Sequence, residues 1–217
     1  MFADKKYIFF DLDGTISDPK EGITKAIAYS LEDFGISVEN RDDLVAFIGP
    51  PLRDSYKKFY DFNAEEAERA VAKYGEYLST KGKFENVIYG GMEELLKALQ
   101  ENGKRLVVAT AKLTEFANQT LEHFGIEKYF DFVAGSKPDG SRSIKGDVIR
   151  YALENLGIYD VENAVMIGDR EHDVIGAREC GMDCVSILYG YGTAEELASA
   201  GATVMVESVS ELKNLLI

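Results

Sequence analysis

Apolar residues follow two rhythms along this chain. Short runs, "YIFF" (7–10), "RLVVAT" (105–110), "FDFVAG" (130–135), "NAVMIGD" (163–169), "DCVSIL" (183–188) and "TVMVE" (203–207), read as strands. Between the later ones lie stretches of helical period, such as "KGDVIRYALENLG", with Val148, Ile149, Ala152, Leu153 and Leu156 on one face. Gly125, Gly157, Gly181 and Gly201 stand where these helices should stop. Continuous apolar strands alternating with helices predict an α/β fold, a parallel sheet covered on both faces. Ligands then bind beyond the carboxyl ends of the strands.

Residues 18–81 break the rhythm. "KEGITKAIAYSLEDFG" places Ile23, Ala26, Ile27, Leu31 and Phe34 at helical spacing. "AEEAERAVAKYGEYLSTKG" does the same with Ala64, Ala67, Val71, Tyr74 and Leu78, and no strand-like run separates the two. The pattern predicts a helical insertion at 18–81 directly after the first strand. The sheet domain is then discontinuous, 1–17 plus 82–217.

Composition narrows the function classes. The 217 residues are 46% hydrophobic and 29% charged, an ordinary globular balance. The formal charge is −14, which repels nucleic acid and anionic membranes and argues against polyanionic partners. A small anionic substrate is compatible with it, because a local cluster of lysines, backbone N–H groups and a metal ion outweighs the global field. Cys180 and Cys184 lack zinc-site spacing and read as small apolar residues. The N-terminus lacks a secretory pattern and no apolar run nears the roughly 20 residues of a membrane span, so a cytoplasmic location is expected.

The chemistry-bearing residues gather at predicted strand ends. Asp11 and Asp13 close the first run, Thr110 the second, and Asp169 and Asp173 follow the "MIGD" strand, while Lys137 and Lys145 flank the loop after "FDFVAG". Singly, each has a plain structural reading, since Asp and Thr favour turns and helix starts. As a set they describe a hard-cation, phosphoryl-transfer centre, because adjacent strand ends in a parallel sheet converge.

These residues resemble the motifs of the haloacid dehalogenase-like hydrolases. "DLDGT" at 11–15 matches the first motif, "VVATAK" the second, Lys145 the third and "GDREHD" at 168–173 the fourth, in order along the whole chain. The resemblance, closest to the phosphoglycolate-phosphatase-like group that includes 5′-nucleotidase-like members, implies a Rossmann-like core with an all-helical cap. It implies a Mg²⁺-dependent phosphatase acting on a small phosphorylated metabolite, phosphoglycolate-like or nucleoside 5′-monophosphate-like. Asp11 would be the nucleophile and Asp13 the general acid and base. The Asp11 carboxylate, the Asp13 carbonyl and the Asp169 carboxylate would hold the metal. Thr110 and the N–H of Ala111 would bind phosphate, and Asp173 would brace Lys145. A phosphomutase and a non-catalytic phosphate-binding regulator are the competing readings; the second acid, Asp13, argues against the regulator and against a dehalogenase.

The third motif departs from the commoner Lys-Pro-x-Pro pattern, so two lysines compete. Lys145 opens an amphipathic helix, where an ammonium meets a phosphate near the helix start, whereas Lys137 sits in a Gly/Ser-rich loop; Lys145 is preferred. Arg53, in "FIGPPLRDSY", is either a helix connection residue or the holder of a substrate's distal group. "YGYGTAEE" (189–196) reads as a turn before a helix. His123 and His172 receive no role.

Overall fold

A computed structural model describes residues 2–217. They divide into two compact units, the segment ending at Asp18 together with Ile88–Ile217, and Pro19–Val87. The helical unit thus runs to Val87, past residue 81 where the helical pattern stops. A short 3-10 turn, Gly82–Phe84, and Glu85 stay with its first helix. The N–H of Gly22 donates to the Glu85 carbonyl at 2.9 Å, and Lys25 pairs with the Glu85 carboxylate at 2.7 Å. A single 3-10 turn has no periodicity for a pattern reading to detect.

The helical unit holds α1 (Lys20–Glu32), α2 (Leu52–Tyr60) and α3 (Ala64–Thr80). Asn63 starts α3 with a capping box, accepting from the N–H of Glu66 while the Glu66 carboxylate accepts from its own N–H. The apolar stripes of α1 and α3 are buried, with Ile23, Ala26, Ile27 and Leu31 on one and Ala67, Ala70, Tyr74 and Leu78 on the other.

The other unit is built on strands β1 (Tyr7–Phe10), β4 (Arg105–Leu113), β5 (Phe132–Ser136), β6 (Ala164–Gly168), β7 (Asp183–Ile187) and β8 (Met205–Val206). Two-residue strands β2 (Ser17–Asp18) and β3 (Val87–Ile88) lie where the chain leaves and re-enters this unit. The six form one sheet in the order β5-β4-β1-β6-β7-β8, every neighbouring pair parallel. Its helices are α4 (Met92–Glu101), α5 (Thr114–Phe124), α6 (Lys145–Leu156), α7 (Glu171–Glu179), α8 (Ala194–Ala200) and α9 (Val209–Leu216).

The unbroken apolar strands follow from burial on both faces. Ile8, Phe10, Leu106, Val108, Val165 and Ile167 point into one core with α4, α5 and α9. Phe9, Val107, Ala109, Ala164 and Met166 point into the other with α6 and Ala177 of α7. The fold is the expected parallel α/β sheet. Chain order runs outward from β1 in both directions, so the strand carrying Asp11 and Asp13 lies at the topological switch point. No described helix is long and apolar enough to cross a membrane.

Candidate active site

Asp11 is the last residue of β1's neighbourhood still bonded into the sheet, its N–H donating to the Ile167 carbonyl at 2.9 Å. The chain then turns sharply, and the N–H of Leu12 donates to Asp11 Oδ1 at 2.7 Å. Gly14 makes the turn possible. Its φ is +87°, and a Cβ there would lie 2.4 Å from Asp169 Oδ2. Thr15 Oγ1 donates to Asp169 Oδ1 at 3.2 Å, tying the turn to the end of β6.

Lys145, the first residue of α6, reaches the same place. Its Nζ lies 2.9 Å from Asp11 Oδ1 and 2.8 Å from Asp173 Oδ1, and donates to the Ala109 carbonyl at 2.9 Å. Its stem runs against Gly176 of α7, where a Cβ would come within 2.9 Å of the lysine's Cβ and Cγ. Asp173 serves twice, because its Oδ2 also accepts from the N–H of Arg170 at 3.1 Å and caps α7.

Asp11, Asp169 and Asp173 are all buried, with candidate ligand oxygens within 4.8 Å of one another. Such crowding carries an electrostatic cost. Burial, then the neighbouring Asp173 and Asp11, push Asp169 up to about 8. Burial also raises Asp173, to about 6, against the opposing pull of Lys145. Burial pulls Lys145 down, but Asp11 and Asp173 outweigh it and the ammonium is held charged. Three hard oxygen donors short of positive charge fit a hard divalent cation.

β4 supplies the remaining side chains. It runs past the end of β1, and its register with β5 shifts between Ala109 and Leu113. Irregularities of this kind re-aim side chains beside active sites. Thr110 is buried, and its Oγ1 accepts from the N–H of Lys112 at 3.2 Å; Ala111, half-buried, follows it. Lys112 was not among the residues expected here. Its Nζ donates to both carboxylate oxygens of Asp13, at 2.8 and 2.9 Å, with both side chains largely buried. The signal was present in "VVATAK": two residues on from Thr110, a strand residue shares its face.

A second unexpected contributor is the loop after β7. The N–H of Tyr191 donates to Asp169 Oδ2 at 2.8 Å, and its phenol is hydrogen-bonded to Asp18. A Cβ on Gly190 would lie 2.4 Å from Asp169 Cβ. The stretch is the expected turn, with Thr193 capping α8, and it is also the seat of Asp169.

Lys137 lies elsewhere, exposed in a tight turn closed by bonds from Gly140 N–H to its carbonyl and from its own N–H to the Ser141 carbonyl. In the helical unit, Arg53 makes a two-pronged ion pair with Glu68, one arm at 2.9 Å.

The model of the haloacid dehalogenase-like hydrolase family matches residues 8–187. The chain belongs to the haloacid dehalogenase-like hydrolases. It is 38% identical to a 5′-nucleotidase of Pseudomonas aeruginosa over 96% of its own length and 94% of that protein's. It is 37% identical to the tyrosine-protein kinase PtkA of Mycobacterium tuberculosis, covering 96% of this chain and 72% of that one. The crystal structure of a predicted phosphatase from Clostridium acetobutylicum superposes with a TM-score of 0.95 at 49% identity, covering 97% of both chains. Within this family the chain is a phosphate monoester hydrolase. Phosphatases of the family generally use a divalent metal, and the buried acidic cluster here has carboxylates, Asp11 and Asp169 among them, suited to hold one.

Proposed function

We propose that this hydrolase cleaves a small phosphorylated metabolite through an aspartyl-phosphate on Asp11. The observation that carries the reading is the placement of the Asp11 carboxylate: at a strand end, 2.9 Å from a buried ammonium and grouped with two more buried carboxylates. One Asp11 oxygen attacks phosphorus, and the bond from phosphorus to the ester oxygen breaks. Asp13 gives its proton to the departing oxygen. It then takes a proton from the water that attacks the aspartyl-phosphate, and inorganic phosphate leaves as the phosphorus–Asp11 bond breaks. Thr110 Oγ1 and the Ala111 N–H hold the phosphoryl oxygens, and Lys145 offsets their charge. Mg²⁺, held by the Asp11 and Asp169 carboxylates and the Asp13 carbonyl, would supply charge neutralisation and orientation of the phosphoryl group. Asp173 acts through Lys145 and the start of α7.

The test is Mg²⁺-dependent release of phosphate from an aryl phosphate by wild-type protein, beside a folded Asp11→Asn variant. An amide oxygen is a poor nucleophile, and multiple turnover should fall below detection. Appreciable turnover by Asp11→Asn would exclude Asp11 as the nucleophile.

A further inference from the structure

We propose that Lys112 is a positioning residue for the proton donor, holding the Asp13 carboxylate at a fixed place relative to the phosphoryl seat at Thr110. The inference rests on the assignments of Asp13 and Thr110 above and goes beyond them to a residue they leave without a task.

Two ammonium groups reach the end of the sheet, and their coordination differs. Lys145 meets three separate groups, Asp11, Asp173 and the Ala109 carbonyl. Lys112 gives its side chain to one partner, with contacts of 2.8 and 2.9 Å to the two oxygens of the Asp13 carboxylate. Among the described residues nothing else is hydrogen-bonded to that carboxylate, so its direction is set by Lys112. Contacts to both oxygens fix the plane of the group as well as its place. The two side chains are 6% and 12% exposed, so water is a poor substitute for either partner.

Lys112 is also tied to the phosphoryl seat. Its backbone N–H donates to Thr110 Oγ1 at 3.2 Å, within the stretch of β4 where the register shifts between Ala109 and Leu113. One residue thus joins the group that holds phosphate to the group that handles the proton. The consequence falls on one part of the reaction. As the bond from phosphorus to the ester oxygen breaks, its electron pair passes to that oxygen and the proton comes from Asp13. One Asp13 oxygen faces the departing oxygen while Lys112 keeps the other, and the carboxyl stays aimed. An alkoxide needs that proton in order to leave, whereas a nitrophenolate leaves without it. Misplacing a catalytic group by about 1 Å costs about 10²-fold, so loss of Lys112 is felt most with alkyl esters. A general loss of charge or of order slows both kinds alike.

The experiment measures alcohol release in a single turnover, with enzyme in excess, from propyl phosphate and from nitrophenyl phosphate at saturating Mg²⁺. Asp13→Asn is the reference and should slow the propyl ester more than the nitrophenyl ester. Lys112→Met should slow the propyl ester about 10- to 100-fold more than the nitrophenyl ester. In the Asp13→Asn background the same substitution should change the propyl rate by less than about twofold, because the two residues act as a unit. Lys112→Gln keeps a donor for one Asp13 oxygen; it should fall between wild type and Lys112→Met, and it carries the test where Lys112→Met does not fold. Equal penalties on the two esters in the folded Lys112 variants, or a full second penalty in the Asp13→Asn background, overturn the role of Lys112 and leave the phosphatase reading intact. Equal penalties in Asp13→Asn itself overturn the assignment of Asp13, and that of Lys112 with it. No Mg²⁺-dependent release from either ester by wild type overturns the phosphatase reading as well.

Discussion

Lys145 shows how much one side chain can be asked to balance. Its ammonium stands between Asp11 and Asp173, and its loss leaves two buried carboxylates without their cation. Lys145→Met should lower kcat by at least ~10³-fold, and Lys145→Arg should recover little, because a planar guanidinium does not reproduce the three-way contact. Lys137→Ala, in its exposed turn, should retain wild-type turnover. Steady-state kinetics on all three, with thermal melts to confirm folding, decides the matter; an inactive Lys137→Ala would move the phosphate-binding lysine into the loop. The acids at the strand ends were legible in the sequence because they belong to short contiguous motifs. Lys112 stands within one of them, but a lysine at the end of a strand ordinarily reads as a solvated terminus. Tyr191 gave no signal, since what it contributes to Asp169 is a backbone N–H that every residue except proline carries.

Among the elements, the loop after β7 has the narrowest tolerances. Gly190 passes so close to Asp169 that a methyl group would sit 2.4 Å from its Cβ and 2.5 Å from the Gly14 carbonyl. Gly190→Ala should push Asp169 off its seat and weaken Mg²⁺ binding about 10- to 100-fold, the range seen when groups supporting a metal ligand are altered. Titration calorimetry with Mg²⁺ measures this directly. Gly75→Ala, in α3 with open space around it, is the control and should bind Mg²⁺ as wild type does. Unchanged affinity in Gly190→Ala would show that the loop does not position Asp169. Strands and long helices were readable from period alone, because both faces of the sheet and one face of each helix are buried. The junction at residues 82–87 was not, since what holds it is a set of bonds to the Glu85 carbonyl and carboxylate, from Gly22, Lys25 and Tyr77, rather than an apolar pattern.

At the scale of the whole molecule, the buried acids make stability depend on pH in an unusual direction. Asp169 is raised from its ordinary 3.8 to about 8 and Asp173 to about 6, so the folded state holds protons that the unfolded chain releases. Their contribution is complete below 3.8 and is lost as pH rises through the folded values. Between pH 5 and 8, where ordinary carboxylates are already ionised, the melting temperature of chelator-treated protein should fall, and Mg²⁺ should restore it most at the alkaline end. Asp169→Asn should flatten the profile; a wild-type melting temperature that climbs from pH 5 to 8 without metal would contradict the account. The interrupted core has one more consequence, for the order in which the molecule is made. Tyr7 of β1 pairs with Arg105 on one side and Ala164 on the other, while Pro19–Val87 is complete within itself. Of the six strands of this sheet, the one that carries Asp11 is therefore made first, and its edges stay unpaired until β4 and β6 follow. The acidic group at the strand ends is complete only once β6 and the residues after it have joined β1, so a nascent chain stays inert until then.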